Sequence, residues 1–250
     1  MRILRHLANR RRTAGSNNTL GLLLAFNAGA INAGGILAMH MYTSHMTGFA
    51  SQIADGWAFD DTELLLNALG AIFAFTSGAA ACIILVNWAQ QHRLQSVYAL
   101  PLLQEALLLV LFALLGSMTL KWNIHYALPA TLLMLSFIMG WQNAISSKTS
   151  GGRIRTTHMT GNITDLGMEL GNAILPATPR RETAPDWQRM RICAGLLAMF
   201  VLGGMVGAVG FEYVSFGYIL PLAVVLVVLA APPLLRDALR SKNFRKLLHR

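Results

Sequence analysis

Long stretches of this chain contain no charged side chain. Asp, Glu, Lys and Arg are absent from residues 13–54, 64–92, 122–147, 192–211 and 213–235. A helix needs about 20 predominantly apolar residues to cross the roughly 30 Å hydrocarbon core of a bilayer, and each stretch is long enough to do so. The pattern therefore predicts an all-α membrane protein with several spanning helices.

Six spanning helices fit this pattern, together with two short helices. The segments 44–57 and 157–175 are more polar than the spans and contain glycine, so we expect them to reach only partway into the membrane. A topology with eight full spans is less favourable, because Asp165 and Glu169 would then lie within the bilayer, where a charge is costly. The six spans are predicted at residues 19–40, 64–89, 98–119, 126–147, 191–212 and 216–235.

The composition excludes several other classes of protein. Hydrophobic residues make up 54% of the chain and charged residues 12%, about half of the roughly 25% that is usual in soluble domains. These values exclude soluble globular, fibrous, disulfide-rich and disordered proteins. The net charge of +9 does not indicate nucleic-acid binding, because the basic residues lie in short segments between the apolar stretches.

The basic residues predict the orientation of the chain in the membrane. Lys and Arg are concentrated in the amino-terminal segment 1–18, between the fourth and fifth spans, and in the carboxyl-terminal tail 236–250. Only Lys121 falls on the opposite side. Cytoplasmic connections of membrane proteins are enriched in Lys and Arg. We therefore expect a multi-pass protein of the inner (plasma) membrane with both termini in the cytoplasm.

The chain repeats three landmarks in the same order, which predicts two related halves. Each half, residues 19–119 and residues 126–235, contains three predicted spans. Because three is an odd number, the halves must have opposite orientations in the membrane, as in many transporters and some channels. Asn32-Ala33 matches Asn143-Ala144, residues 44–48 match residues 157–161, and residues 98–102 match residues 218–222.

The central landmark is the sequence His-Met-Thr-Gly, and we call residues 44–48 and 157–161 the first and second HMTG segments. Ser44 and Thr157 are the first residues of these segments. Ser or Thr just before a helical stretch is an N-cap signal, so each segment predicts the start of a helix. The free N–H groups and positive dipole end of such a helix attract polar or anionic groups, and histidine can transfer protons near neutral pH. Alternatively, Thr and His only cap the helices while glycine permits close packing. Both interpretations stay open.

Several polar residues inside the predicted spans also need an explanation. Asn32 and Asn143 must bond a neighbouring motif or face a cavity, since an unpaired buried amide is costly. Gln142 and Glu105 have no polar counterpart in the other half, and Glu105 is either functional or extends to the cytoplasmic face. The candidates for a solute or proton pathway are His45, Thr47, His158, Thr160, Asn162, Asp165, Asn32, Asn143, Gln142 and Glu105. The glycines predicted to form the structural motifs and helix contacts are Gly29, Gly48, Gly140, Gly161, Gly203 and Gly207.

Taken together, these paired motifs resemble the YoaK family, a group of bacterial and fungal membrane proteins of unknown function. The resemblance covers about residues 20–235, and the second copy, which begins at Arg155, is the more typical. The family often has Asp where Asn32 stands and Asn where Phe49 stands, so the first copy departs from the pattern. The resemblance implies the architecture of two related halves and no particular activity.

The sequence favours a small-solute transporter or a channel-like carrier with a polar site between the two short helices. The alternative is a non-transporting membrane scaffold or sensor that binds a partner or lipid, for which the basic tail 236–250 is suited. We do not expect an enzyme, because no Walker loop, GxSxG, HExxH or dinucleotide motif occurs. No cofactor and no metal site are predicted. The expected partners are the lipid bilayer and a small solute of unknown identity, but no nucleic acid, and a homo-oligomer stays open.

Overall fold

A computed structural model describes residues 14–39, 41–122, 127–174 and 184–248, and the regular structure in these ranges is helical. Residues 1–13 of the predicted basic segment 1–18 lie outside the described residues. Arg180 and Arg181, between the fourth and fifth predicted spans, also lie outside them. The helices are α1 (Ala14–Met39), α2 (Met46–Ala58), α3 (Thr62–Gln91), α4 (Ala99–Trp122), α5 (Ala127–Ser150), α6 (Met159–Ile174), α7 (Trp187–Val214) and α8 (Ile219–Leu248).

Each predicted span and each short segment coincides with a helix, and most ends agree within a few residues. Helix α8 differs most, because it continues past the predicted end at residue 235, through Pro232 and Pro233, to Leu248. The basic tail 236–250 therefore begins within this helix. Hydropathy marks only the apolar part of a helix, whereas backbone hydrogen bonding continues into polar flanking sequence.

Four helical stretches of the described residues are long and apolar enough to cross a membrane: Gly15–Leu37, Thr62–Gln91, Ala99–Met118 and Trp187–Leu239. The last stretch contains 53 residues and holds both α7 and α8, which a 3-10 turn at Ser215–Tyr218 separates. Helix α5 is not among these stretches, for which only described residues were considered, and the side chains of its first residues 127–129 lie outside them. The protein is thus an all-helical membrane protein, and its division into six spans stays a prediction.

Helices α1 and α7 pack along each other with their backbones in close contact. A Cβ atom at Gly29 would lie 2.0 Å from the carbonyl oxygen of Phe200, and one at Gly203 would lie 1.9 Å from the carbonyl oxygen of Phe26. Gly207 extends this contact, since a Cβ there would lie 2.3 Å from the carbonyl oxygen of Ala30. Glycine at these positions lets the helices approach more closely than any other residue would allow.

Helices α3 and α5 use the same arrangement. A Cβ atom at Gly140 would lie 1.9 Å from the carbonyl oxygen of Phe75, and one at Gly78 would lie 2.1 Å from the carbonyl oxygen of Phe137. In all four helices the phenylalanine precedes a contact glycine by three residues, so a Phe-x-x-Gly pattern occurs once in each. This pattern is a sequence signal of both helix pairs.

The remaining core is apolar and lies largely between α4 and α8. Leu102, Phe112 and Leu226 are fully or almost fully buried there. At the end of this helix pair, the Asp237 carboxylate accepts hydrogen bonds from the backbone N–H groups of Gln95 (2.9 Å) and Ser96 (2.8 Å). The connection before α4 is therefore fixed to α8. Helix α2 packs against α3, and helix α6 against α7.

Candidate functional site

Both HMTG segments line one cavity of about 370 Å³. The two segments are far apart in sequence, yet both histidines, His45 and His158, face this shared space. Helices α3 and α5 complete the wall, so the tight packing at Gly140 also positions the cavity. The lining residues are Ser44, His45, Met46, Thr47, Phe75, Ala79, Gly140, Asn143, Ala144, Ser147, Arg155, Thr157, His158, Met159 and Thr160.

The first turns of α2 and α6 border this cavity. Helix α2 begins at Met46 and helix α6 at Met159, each directly after a histidine. The first N–H groups of a helix have no intrahelical acceptor and carry the positive end of the helix dipole. His45 occupies the N-cap position of α2 without a side-chain capping bond. Two helix ends therefore offer hydrogen-bond donors and positive potential to the same space.

The guanidinium group of Arg155 on the cavity wall adds to this positive potential. The described lining residues also include the imidazoles of His45 and His158, which offer hydrogen-bonding nitrogen atoms, but no carboxylate. Ser44, Thr47, Thr157 and Thr160 add hydroxyl groups, which both donate and accept hydrogen bonds. The cavity thus suits a small solute with negatively charged or hydrogen-bond-accepting groups.

The glycine of each HMTG segment leaves room for the histidine ring. A Cβ atom at Gly48 would lie 2.2 Å from Cδ2 of His45, and one at Gly161 would lie 2.5 Å from Nδ1 of His158. Each imidazole therefore packs over the first turn of its own helix. Glycine three residues after histidine is the residue that this arrangement requires.

Replacing Gly161 with alanine should displace the His158 ring and leave the fold intact. The ring is the end of a flexible side chain, so we expect the free energy of unfolding to change by less than about 1 kcal/mol. The measurement is the ¹⁵N chemical shift of the His158 imidazole in histidine-labelled protein. Gly171→Ala is the control, because a Cβ there meets no atom of the described residues within 4 Å. Identical His158 signals in both variants would contradict the packing.

Asn143 and Asn32 connect the HMTG segments to the preceding helices. The Asn143 side-chain amide donates to Thr157 Oγ1 (2.8 Å) and to the carbonyl oxygen of Met139 (2.8 Å). Its Oδ1 atom accepts from the backbone N–H of Thr157 (3.4 Å). Asn32 Oδ1 accepts from the Ser44 hydroxyl (3.0 Å). The sequence left open whether each asparagine bonds the neighbouring motif or faces a cavity. Both asparagines bond the motif, and Asn143 also lines the cavity.

Two further threonines, not singled out in the sequence, precede the HMTG segments at equivalent positions. Thr43 and Thr156 are fully buried, and neither hydroxyl has a hydrogen-bond partner among the described residues. The signal that could have found them is the longer repeat, which reads Thr-Ser-His-Met-Thr-Gly from residue 43 and Thr-Thr-His-Met-Thr-Gly from residue 156. Arg155 directly precedes the longer repeat that starts at Thr156. It was likewise recognisable only as part of the motif.

Other candidates from the sequence lie away from this cavity. Asp165 forms an ion pair of 2.9 Å with Arg189, and both residues line a second cavity of about 440 Å³. Glu105 is fully buried and accepts a hydrogen bond of 2.8 Å from the Gln142 side-chain amide. The alternative that Glu105 extends to the cytoplasmic face is therefore wrong. Asn162 is buried behind the first turn of α6.

Helix α6 turns its polar face toward the protein. Asn162 and Glu169 are 8% and 6% exposed, whereas Ile163 and Leu170 are 52% and 47% exposed. In water the apolar face of an amphipathic helix is the buried one. The reverse arrangement is favourable where the surrounding medium is hydrocarbon, because polar groups then need partners inside the protein.

The chain is similar to membrane proteins of unknown function. The profile of the family described as "Protein of unknown function (DUF1275)" matches residues 20–231. The UPF0700 transmembrane protein YoaK of Bacillus subtilis (strain 168) is 28% identical over 154 residues, which cover 61% of this chain and 67% of that protein. No solved structure is significantly similar to this chain. The resemblance recognised from the HMTG segments is therefore confirmed.

Proposed function

Since the chain belongs to the family of proteins of unknown function DUF1275, whose name assigns no activity, we propose its function from the geometry of the cavity. The protein is a carrier of small solutes, and its binding site is the cavity between the two HMTG segments. The observation that carries this proposal is that segments 113 positions apart both line one space of about 370 Å³. That volume is sufficient for a small organic ion.

The two halves of the chain form inverted repeats in this proposal. Reciprocal Phe-x-x-Gly contacts join α1 to α7 and α3 to α5, so each half contributes one helix to each pair. Helices α2 and α6 then begin at the shared cavity and run from it toward opposite faces of the membrane. This arrangement of short helices at a central site is common in transporters whose halves are inverted copies. Both termini lie in the cytoplasm, as the distribution of Lys and Arg predicts.

The solute is an anion or a strong hydrogen-bond acceptor. Arg155, His45 and His158 line the cavity together with two helix amino-termini, and no described lining residue is acidic. Positive potential from several sources in a partly dehydrated space favours anions over neutral molecules of similar size. The hydroxyl groups of Thr47 and Thr160 supply directional hydrogen bonds.

Osmotic swelling of proteoliposomes tests this proposal with a small panel of solutes. The probes are acetate and phosphate as anions and glycerol and urea as neutral solutes of similar size. We expect anions to enter faster than neutral solutes. His45→Ala and His158→Ala should each slow anion entry at least about tenfold, because a hydrogen bond to a charged group contributes roughly 1.5–3 kcal/mol.

The matched control is His92→Ala, which removes a histidine outside the cavity. The His92 ring lies at the carboxyl end of α3, is exposed, and bonds the carbonyl oxygen of Trp88. Its replacement should leave swelling rates at the wild-type level. Equal rates in wild-type and in both cavity variants, for an anion that the protein carries, would remove the histidines from the site. No entry of any probe above that of empty liposomes would count against a carrier of these solutes.

A further inference from the structure

A buried carboxyl–amide pair lies behind the wall of the proposed site. Glu105 on α4 and Gln142 on α5 are both 0% exposed, and Gln142 Nε2 donates to Glu105 Oε1 at 2.8 Å. Trp141 directly precedes Gln142, and Pro101 lies about one helical turn before Glu105. The indole N–H of Trp141 donates to the carbonyl oxygen of Pro101 (2.9 Å) and fixes α5 against α4. The pair therefore sits in a rigid part of the core.

Each member of the pair has one oxygen atom without a donor. Glu105 Oε2 and Gln142 Oε1 are buried and have no hydrogen-bond partner in the described ranges. Both atoms accept hydrogen bonds and neither donates when the carboxyl group is ionised. A proton on Oε2 turns that atom into a donor, and Gln142 Oε1 is the acceptor on the opposing amide. A single proton on Oε2 would therefore supply the donor that the ionised pair lacks.

Among the described residues, Glu105 has no cationic side chain within ion-pair distance that would stabilise an ionised carboxylate. The titratable side chain that α3 contributes to the same buried core is the thiol of Cys82. The buried residues of α8 over residues 219–239, which pack against α4, are apolar. A buried carboxyl without a charged partner is far more stable with a proton than without one.

We propose that Glu105 and Gln142 form a proton-binding site, in which Glu105 holds a proton that Gln142 accepts in a hydrogen bond. The proton is taken from hydronium in the aqueous phase. One O–H bond of hydronium breaks, one forms at Oε2, water leaves, and the negative charge of the carboxylate is neutralised. Release reverses these steps.

The position of this site connects it to the proposed carrier. Gln142 adjoins Asn143, which lines the cavity. Ala79 also lines the cavity and lies one helical turn before Cys82. The matching positions in the other half are Ile31 and Val225, so the site occurs on one side only. Together with the proposed function, this asymmetry assigns Glu105 to proton coupling of solute transport.

Infrared spectroscopy of the full-length protein in lipid nanodiscs tests the proton site. At neutral pH we expect one carbonyl band of a protonated carboxyl group that shifts in D₂O and is lost in Glu105→Gln. Glu169→Gln is the matched control. Glu169 is also buried, but its Oε2 atom accepts hydrogen bonds from the backbone N–H of Asp186 (2.9 Å) and from the Asn172 side-chain amide (3.4 Å). Its replacement should leave the band unchanged.

A second variant keeps the test decisive if Glu105→Gln does not fold. In Gln142→Leu the carboxyl carbonyl loses its N–H donor, so the band should move to higher wavenumber. An absent band in wild-type protein, or a band that Glu105→Gln retains, overturns the proposal. The spectra are recorded with choline as the only buffer cation. A band that disappears when sodium replaces choline also overturns the proposal, because the site then binds a metal cation.

Transport gives an independent outcome. In proteoliposomes with an imposed pH gradient, wild-type protein should accumulate the carried anion, and Glu105→Gln should lose accumulation while it retains downhill entry. Accumulation that Glu105→Gln leaves unchanged overturns the coupling role even if the infrared band is present. A failure of all transport, with the infrared band in place, would refute the carrier and leave the proton site intact.

Discussion

Gly29→Ala is expected to destabilise the folded protein by about 3 kcal/mol, the upper part of the range for overpacked cores. The added Cβ would lie 2.0 Å from the carbonyl oxygen of Phe200 and 2.8 Å from its carbonyl carbon. Both atoms belong to the backbone of α7, so the clash cannot be relieved by a side-chain rotation. The two helices must separate, and the reciprocal contact at Gly203 is lost with them.

The measurement is the free energy of unfolding in mixed micelles titrated with SDS and followed by circular dichroism. Gly167→Ala on α6 is the control, because a Cβ there meets no atom of the described residues within 4 Å. Alanine at such a helical position should be neutral or stabilising by about 0.5–1 kcal/mol. If Gly29→Ala and Gly167→Ala unfolded at the same SDS fraction, the close contact of α1 and α7 would be wrong.

Asn143→Asp is expected to cost about 2 kcal/mol more than Asn32→Asp, because both bury a carboxyl group but only Asn143 also loses hydrogen bonds that its amide donates. Asn143 uses its NH₂ group to donate to Met139 and Thr157, and a carboxylate cannot donate. Asn32 is used only as an acceptor from the Ser44 hydroxyl, and aspartate keeps an oxygen at that position. The same substitution is therefore expected to cost more stability in the second half than in the first.

The same unfolding measurement on four variants distinguishes the two roles. Asn143→Ala and Asn32→Ala should both lose stability, since each removes every bond of its side chain. Only at position 32 should aspartate restore most of the loss. The same behaviour at both positions would contradict the hydrogen bonds described here.

Much of the fold was predictable from sequence because charges are excluded from the membrane interior. The charge-free stretches located five of the six long helices, α4 being the exception because it contains Glu105, and the HMTG segments located the starts of α2 and α6. The repeated Asn and HMTG landmarks identified the residues that line the cavity. His45, Thr47, Asn143, His158 and Thr160 were all recognised in this way.

The sequence misjudged features that depend on which faces of the helices meet. Asp165 belonged to the same predicted pathway as the histidines, yet it lies in a separate cavity and pairs with Arg189. Glu105 and Gln142 were noticed separately as residues without counterparts, but nothing in the linear pattern indicated that they bond each other. The polar stripe of α6 did not reveal whether it faces the protein or its surroundings.

By itself, the sequence determined the class of the protein, the number and approximate ends of its helices, and the two repeated motifs. The tertiary structure alone decided that both HMTG segments share one cavity and that Glu105 meets Gln142. The reason is physical. A spanning helix is apolar on most sides, because lipid and protein core are equally hydrophobic, so its hydropathy sets its length without marking the face that packs. That face is selected by backbone contacts at glycine and by buried hydrogen bonds, and both exist only once the helices have come together.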